Sequence, residues 1–194
     1  MSKLGVSRWM CWFSALAISV SVSSMLPGAV IAVQLSDGKV YFTRPPRLVK
    51  ASTTQDRVRA WGATYYFVLE LPEDAGEPLQ HVRIHQHEGR DTLYYELEES
   101  YAFSGKSRRR GTPLPLASVR HDPEARAITL TFDPPVTPGQ IVTLALAPHY
   151  NPSSSGIYLF GVTAFPAGEK SHGQFLGFGR LHFYGHGRSL FYPW

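Results

Sequence analysis

From Leu79 to His87 the chain reads LQHVRIHQH, and this stretch decides the fold. Val82 and Ile84 fall on one side of an extended chain, while His81, Arg83, His85 and His87 fall on the other. Side chains that alternate with period two belong to a strand with one face on a core and the other in solvent. The pattern recurs on both sides of the stretch. Tyr65, Phe67, Leu69 and Leu71 share one face of ATYYFVLEL at 63–71, Ile128, Leu130 and Phe132 alternate with Thr129 and Thr131, and Val142, Leu144 and Leu146 repeat it. Helical periodicity does not recur.

Turn signals separate these runs: Asp37-Gly38, Glu73-Asp74-Ala75-Gly76, Glu88-Gly89, Pro134-Pro135 with Pro138-Gly139, and Asn151-Pro152-Ser153. Strands about ten residues apart are the spacing of a sandwich or barrel. ITLTFDPPVTPGQIVTLAL at 128–146 reads as two antiparallel strands joined by a proline-rigid loop. The expected architecture is all-β: a single antiparallel β-sandwich, Ig-like in general style, over residues 33–184, with an aromatic tail at 185–194.

Composition agrees. The 194 residues are 43% hydrophobic, 18% charged and 13% aromatic, with 17 Gly and 15 Pro, which gives enough apolar matter for a core and many tight turns. The chain opens differently. Lys3 and Arg8 precede an uncharged run, Trp12 to Val22 is apolar, Pro27-Gly28 breaks it, and Val30-Ile31-Ala32 offers a cleavage site. This is the order of a secretory signal peptide over residues 1–32, so the expected address is export to the periplasm, cell surface or medium, with no stable membrane span after cleavage. The net charge is +4, and Lys3 and Arg8 supply two of those charges, too little left over for nucleic acid as a default partner. The only cysteine, Cys11, lies in the leader and lacks the small apolar residues that precede a lipidated cysteine, so neither a disulfide nor a thiolate metal site is expected.

Six blocks in order carry a resemblance: Pro46-Arg47-Leu48, ATYYF at 63–67, LPEDAGEPLQ at 71–80, FDPPVTPG at 132–139, YLFGVTAFPAGE at 158–169 and LGFGRLHFY at 176–184. Together they resemble a secreted cyanobacterial family known as domain of unknown function 2808. The resemblance implies a cyanobacterial exported protein and transfers no catalytic residue. The family's strand before Gly89 runs Ile-x-Gln-x-Glu-Gly, matched by Ile84, Gln86, Glu88 and Gly89; the histidines between them are particular to this chain.

Candidate chemistry is sparse. His81, His85 and His87 share a strand face at spacings of roughly 7 Å per two residues, so two imidazoles could converge on an ion, with Glu96 or Glu98 as a third ligand. A solvated polar face explains the same alternation and is preferred. Glu96 and Glu98 share a strand face and read as a charged exterior. No G-x-S-x-G elbow occurs, and Ser153-Ser154-Ser155-Gly156 reads as a turn, so an enzyme is disfavoured and no cofactor is implied. In GQFLGFGRLHFYGHG at 173–187, Gly177 and Gly179 would let another backbone or a ring approach. Arg180 among Phe178, Leu181 and Phe183 reads as a buried paired arginine first and a ligand contact second. With Phe178 and Tyr184 it forms one candidate binding set. Arg108, Arg109 and Arg110 in SGKSRRRGTP form another, for acidic polysaccharide or anionic lipid, against a plain solvated loop.

The expected function is a non-catalytic binding or structural domain of the cell envelope, with a protein or glycan partner. The alternatives are a metal-handling protein or enzyme of the same compartment and, because the chain ends on Trp194, a small outer-membrane barrel.

Overall fold

Period-two alternation becomes ten strands in a computed structural model that describes residues 38–106 and 111–185. The leader, Arg108 to Arg110 and the tail beyond Gly185 lie outside the described residues. One sheet contains β1 (Arg47–Thr53), β2 (Tyr65–Glu70), β8 (Ile141–Pro148), β4 (Tyr95–Ser104) and β5 (Thr112–Leu114), in that order. The other contains β10 (Gln174–Phe183), β9 (Gly156–Pro166), β3 (Leu79–Glu88), β7 (Ala127–Val136) and β6 (Leu116–Asp122). Every pairing within the two sheets is antiparallel. No helix occurs among the described residues.

The inner faces are those the alternation marks. Tyr65, Phe67 and Leu69 from β2 and Leu144 and Leu146 from β8 meet Val82, Ile84, Leu130 and Phe132 from β3 and β7, all buried. Phe160 and Phe183 complete an aromatic centre, with Phe67 edge-on to Phe160 at 5.7 Å and Tyr158 edge-on to Phe183 at 5.3 Å. Burying one such side chain contributes about 2–3 kcal/mol, which makes this layer the main source of stability. Two sheets packed over a filled core are a sandwich, and the expectation of a membrane barrel, one sheet closed on itself, gives way to it.

Three local readings change. The strands of 128–146 are present, but β7 and β8 lie in opposite sheets, so the loop at 137–140 crosses the sandwich instead of closing a hairpin. Its Gln140 carbonyl accepts from Leu71 N–H, and its Gly139 N–H donates to Leu71, which ties it to the neighbouring crossover at 71–78. In β4 the register to β8 slips between Glu96 and Tyr101, so Glu96 and Glu98 do not belong to one regular strand face. The Ser100 hydroxyl holds this bulge by donating to the Glu96 carbonyl at 2.9 Å and accepting from Ala147 N–H at 3.3 Å. Gly179 does admit a ring: a side chain there would come within 2.9 Å of Phe67 and 2.7 Å of Ala51. Gly177 meets nothing; its φ of +117° instead forms the bulge in β10.

Candidate binding face

β3 is a central strand, flanked by β9 and β7, so its outward row stands on a surface with no free edge. His81, Arg83, His85 and His87 point outward, as the alternation requires. Across β9 they meet Gly161, Thr163 and Phe165, paired with His85, Arg83 and His81 respectively. Beyond β9, β10 sets Phe175 opposite Thr163 and Phe178 opposite Gly161. Residues three apart in a strand ordinarily face opposite ways. The bulge at Gly177 adds one residue and brings both rings to the same face.

The result is a depression of about 340 Å3 with a basic wall from β3, an aromatic wall from β10 and a floor from β9. Phe175 and Phe178 are 57% and 49% exposed, unusual for rings set edge-on to one another at 5.1 Å. Gly161 keeps the floor low, since even a methyl there would sit 3.2 Å from the Phe175 ring. His87 leans on Phe178 at 4.9 Å, and His81 stacks on Phe165 at 4.2 Å. Burial, then the nearby positive charges of Arg83, His87 and Arg126, hold the His85 imidazole below its ordinary range; burial does the same for His81.

The three histidines of the metal-handling alternative are not gathered round one point. His85 and His87 are 6.2 Å apart between ring centroids, and the His81 ring packs on Phe165. Glu96 and Glu98, the candidates for a third ligand, lie on β4 in the other sheet, with the Glu96 carboxylate 3.3 Å from His149. Among the described residues no group of three or more His, Cys, Asp and Glu side chains is placed to hold an ion.

The second candidate set separates. Phe178 belongs to the depression, whereas Arg180 and Tyr184 line an open notch of about 400 Å3 at the seam between β10 and β1, beside Asp56 and His182. Arg180 is exposed, not the buried arginine its apolar neighbours suggested, because Leu181 and Phe183 take the inward positions and Arg180 alternates away from them. Arg57 bridges to Tyr184, and Tyr184 N–H donates to the Asp56 carbonyl at 2.8 Å, so the backbone closes the seam there.

At the end of the sandwich beyond β3 lies a buried polar knot. Gln86 donates from Nε2 to the Asp91 carbonyl and accepts at Oε1 from Leu93 N–H. Asp91 accepts from Ser154 N–H, the Ser153 hydroxyl and the Tyr158 hydroxyl. Desolvation would raise its carboxyl, but these hydrogen bonds outweigh that and hold it below the ordinary carboxylate range. Asn151 accepts from the Tyr65 hydroxyl at 2.8 Å and donates to the carbonyls of Gln55 and Arg57. Three loops are thereby locked together, and the Ile84, Gln86 and Gly89 positions are explained: one fills the core, one bonds the turn, and one lies under Tyr158.

A two-sheet antiparallel β-sandwich, Ig-like in general style, with a basic and aromatic outer surface is the class this geometry defines. The chain belongs to the family described as Protein of unknown function (DUF2808), matched over residues 39–183. A search of curated proteins finds no match. Solved structures of similar shape include the C-terminal domain of the Streptococcus pyogenes antigen I/II-family protein AspA, 12% identical, covering 69% of this chain and 46% of that one with a TM-score of 0.41. Others are the collagen-binding domain of a Staphylococcus aureus adhesin, 8% identical over 70% and 97% with a TM-score of 0.37, and an uncharacterized Nocardia farcinica protein with an immunoglobulin-like fold, 12% identical over 69% and 96% at 0.34. The chain spans less than half the length of the antigen I/II chain, and the likeness is one of general architecture.

Proposed function

We propose that this is an exported, non-catalytic binding domain of the cyanobacterial periplasm or cell surface, which holds its ligand on the outer face of the β3–β9–β10 sheet. The observation that carries the reading is the pair Phe175 and Phe178, two large rings left half in water beside Arg83, His85 and His87 on a surface otherwise rigidly paired. A concave site with aromatic walls and a few placed polar groups is the usual form of a ligand site. Rings fixed by neighbouring strands lose little freedom on binding. The leader at 1–32, cleaved after Ala32, supports export, and the envelope supplies protein and glycan partners.

Two readouts test this. The mature protein, recovered from fractionated host cells, should begin at Val33. Labelled wild-type chain should bind isolated cell envelopes, and Phe175→Ala/Phe178→Ala should lose at least tenfold in affinity, about 1.4 kcal/mol, with an unchanged circular dichroism spectrum. An intact leader on membrane-bound protein would replace cleavage by an N-terminal anchor, recovery of the chain in the cytoplasmic fraction would refute export, and undiminished binding by the folded double variant would move the site elsewhere.

A further inference from the structure

The chemistry of the depression narrows its occupant. One wall is basic, with the Arg83 guanidinium and the imidazoles of His85 and His87, and no carboxylate is among its lining residues. The opposite wall is two phenyl rings. Between them runs the single strand β9, so the walls stand two strand spacings apart, roughly 10 Å, over a glycine floor. That spacing is between backbones: Phe178 reaches across to His87 and Phe175 overhangs Gly161, so the depression is shallow and offers a ring-shaped unit an apolar surface on the phenyls with Arg83 beside it for an anionic substituent.

The pattern also continues along the surface. Arg83 pairs through Thr129 to Arg120 on β6, which places a second exposed guanidinium on the same row about 10 Å away. The nearest acids are peripheral. Asp122 is separated from His85 by Ala127, and Glu88 lies on the Leu159 and Arg180 row at the strand's end. A peptide cannot add as a strand to β3 or β9, because both have neighbours on each side; the edge of this sheet is β10.

We propose that the ligand is an anionic sugar chain, a polymer of uronate type whose ring faces lie on Phe175 and Phe178 and whose carboxylates meet Arg83 and the His85–His87 pair. The proposal rests on this face being the binding surface. Arg83 supplies the fork that matches a carboxylate, and the rings supply stacking area. The surroundings of His85 are Arg83 and His87 on its own strand, uncharged Gly161 and Ala127 on β9 and β7, Phe178 on β10, Asp122 on β6 and Arg126 in the turn between β6 and β7. An anionic ligand adds negative charge next to a ring whose facing acid, Asp122, stands two strands away and is outnumbered by Arg83 and Arg126, so its binding takes up a proton and strengthens on acidification.

The test is equilibrium binding of the full chain to polygalacturonate oligomers and to the same oligomers with their carboxylates reduced to alcohols. Wild type should prefer the charged oligomer by at least tenfold, weaken with added salt and tighten as pH falls from about 7.5 to about 5.5. Arg83→Gln should remove most of the preference, and Gly161→Val, which raises the floor under both rings, should weaken both oligomers alike. Equal affinity for the two oligomers would overturn the anionic assignment while leaving the binding face intact. Binding of the charged oligomer that neither variant changes would place the site off this face and sink both readings. Failure to bind either oligomer, with Arg83-dependent binding to anionic vesicles, would assign the face to lipid and reject the sugar; failure on all three would reject the anionic ligand outright.

Discussion

The strand β3 and the turn that follows it contribute to two polar clusters, one along the strand's outer face and one completed by residues from distant loops, and the two are built on opposite principles. The outward row of His81, Arg83, His85 and His87 is wet, its charges meet few hydrogen-bond partners, and its rings touch other exposed rings. The knot of Gln86, Asp91 and Asn151 is saturated with partners, and Gln86 and Asn151 are each only 3% exposed. A buried polar group must be fully paired or it destabilises the fold; a solvated one is free to serve a ligand. Polar residues a few positions apart can therefore divide into one set that holds the loops and another that is open to binding.

The knot should break hardest. A side chain at Gly89 would begin 2.1 Å from the Tyr158 ring on a backbone with φ of +131°, so Gly89→Val must move either the ring or the turn. The expected loss is about 4 kcal/mol or more in urea-induced unfolding, since the ring lies in the core and cannot swing free. A loss under about 1 kcal/mol would show that the turn yields and that the contrast with the outer face is overdrawn.

Asn151→Ala comes next. It removes the acceptor of the buried Tyr65 hydroxyl and the donor to two carbonyls in the 54–64 loop. The Tyr65 hydroxyl is already held far above its ordinary range by burial, so it has no ionised form to retreat to. A loss of about 3 kcal/mol is expected, read by the same unfolding experiment, and Asn151→Asp should not recover it at neutral pH, because a carboxylate oxygen would then face the Gln55 and Arg57 carbonyls where the amide donated.

These effects also mark how far the sequence could be read. Alternation made the inner faces and the outward histidine row legible, because each is a local, period-two feature of a single strand. Pairing between strands is not local, so β7 and β8 looked like a hairpin although they belong to opposite sheets. Phe175 was missed as a partner of Phe178 because only a bulge can put residues three apart on one face; the glycine between them was the available signal. The knot was missed for a different reason. Tyr65, Gln86, Asp91 and Asn151 are polar residues scattered over 87 positions of chain, and nothing in any one window says that they meet. Arg180 went the other way: apolar neighbours suggested burial, but alternation, applied strictly to Leu181 and Phe183, already turned it outward.

The smallest effect tests the outer face by its protons. Burial holds the imidazoles of His81 and His85 below the ordinary 6.5 in the folded chain, with Arg83, His87 and Arg126 adding to the shift at His85. The unfolded chain therefore binds more protons once the pH drops below that value, and stability, complete above it, declines on acidification until the folded imidazoles also protonate. Both rings are substantially solvated, so the decline is modest. Compared between about pH 7.5 and about pH 5.5, wild type should lose more unfolding free energy than His81→Gln/His85→Gln, and equal losses would mean that these imidazoles titrate as freely as in an unfolded chain. An anionic ligand should reverse the sign of the difference. The protonation that the empty fold resists is the one that a bound carboxylate favours, so saturating polyuronate should make wild type the less acid-sensitive of the two.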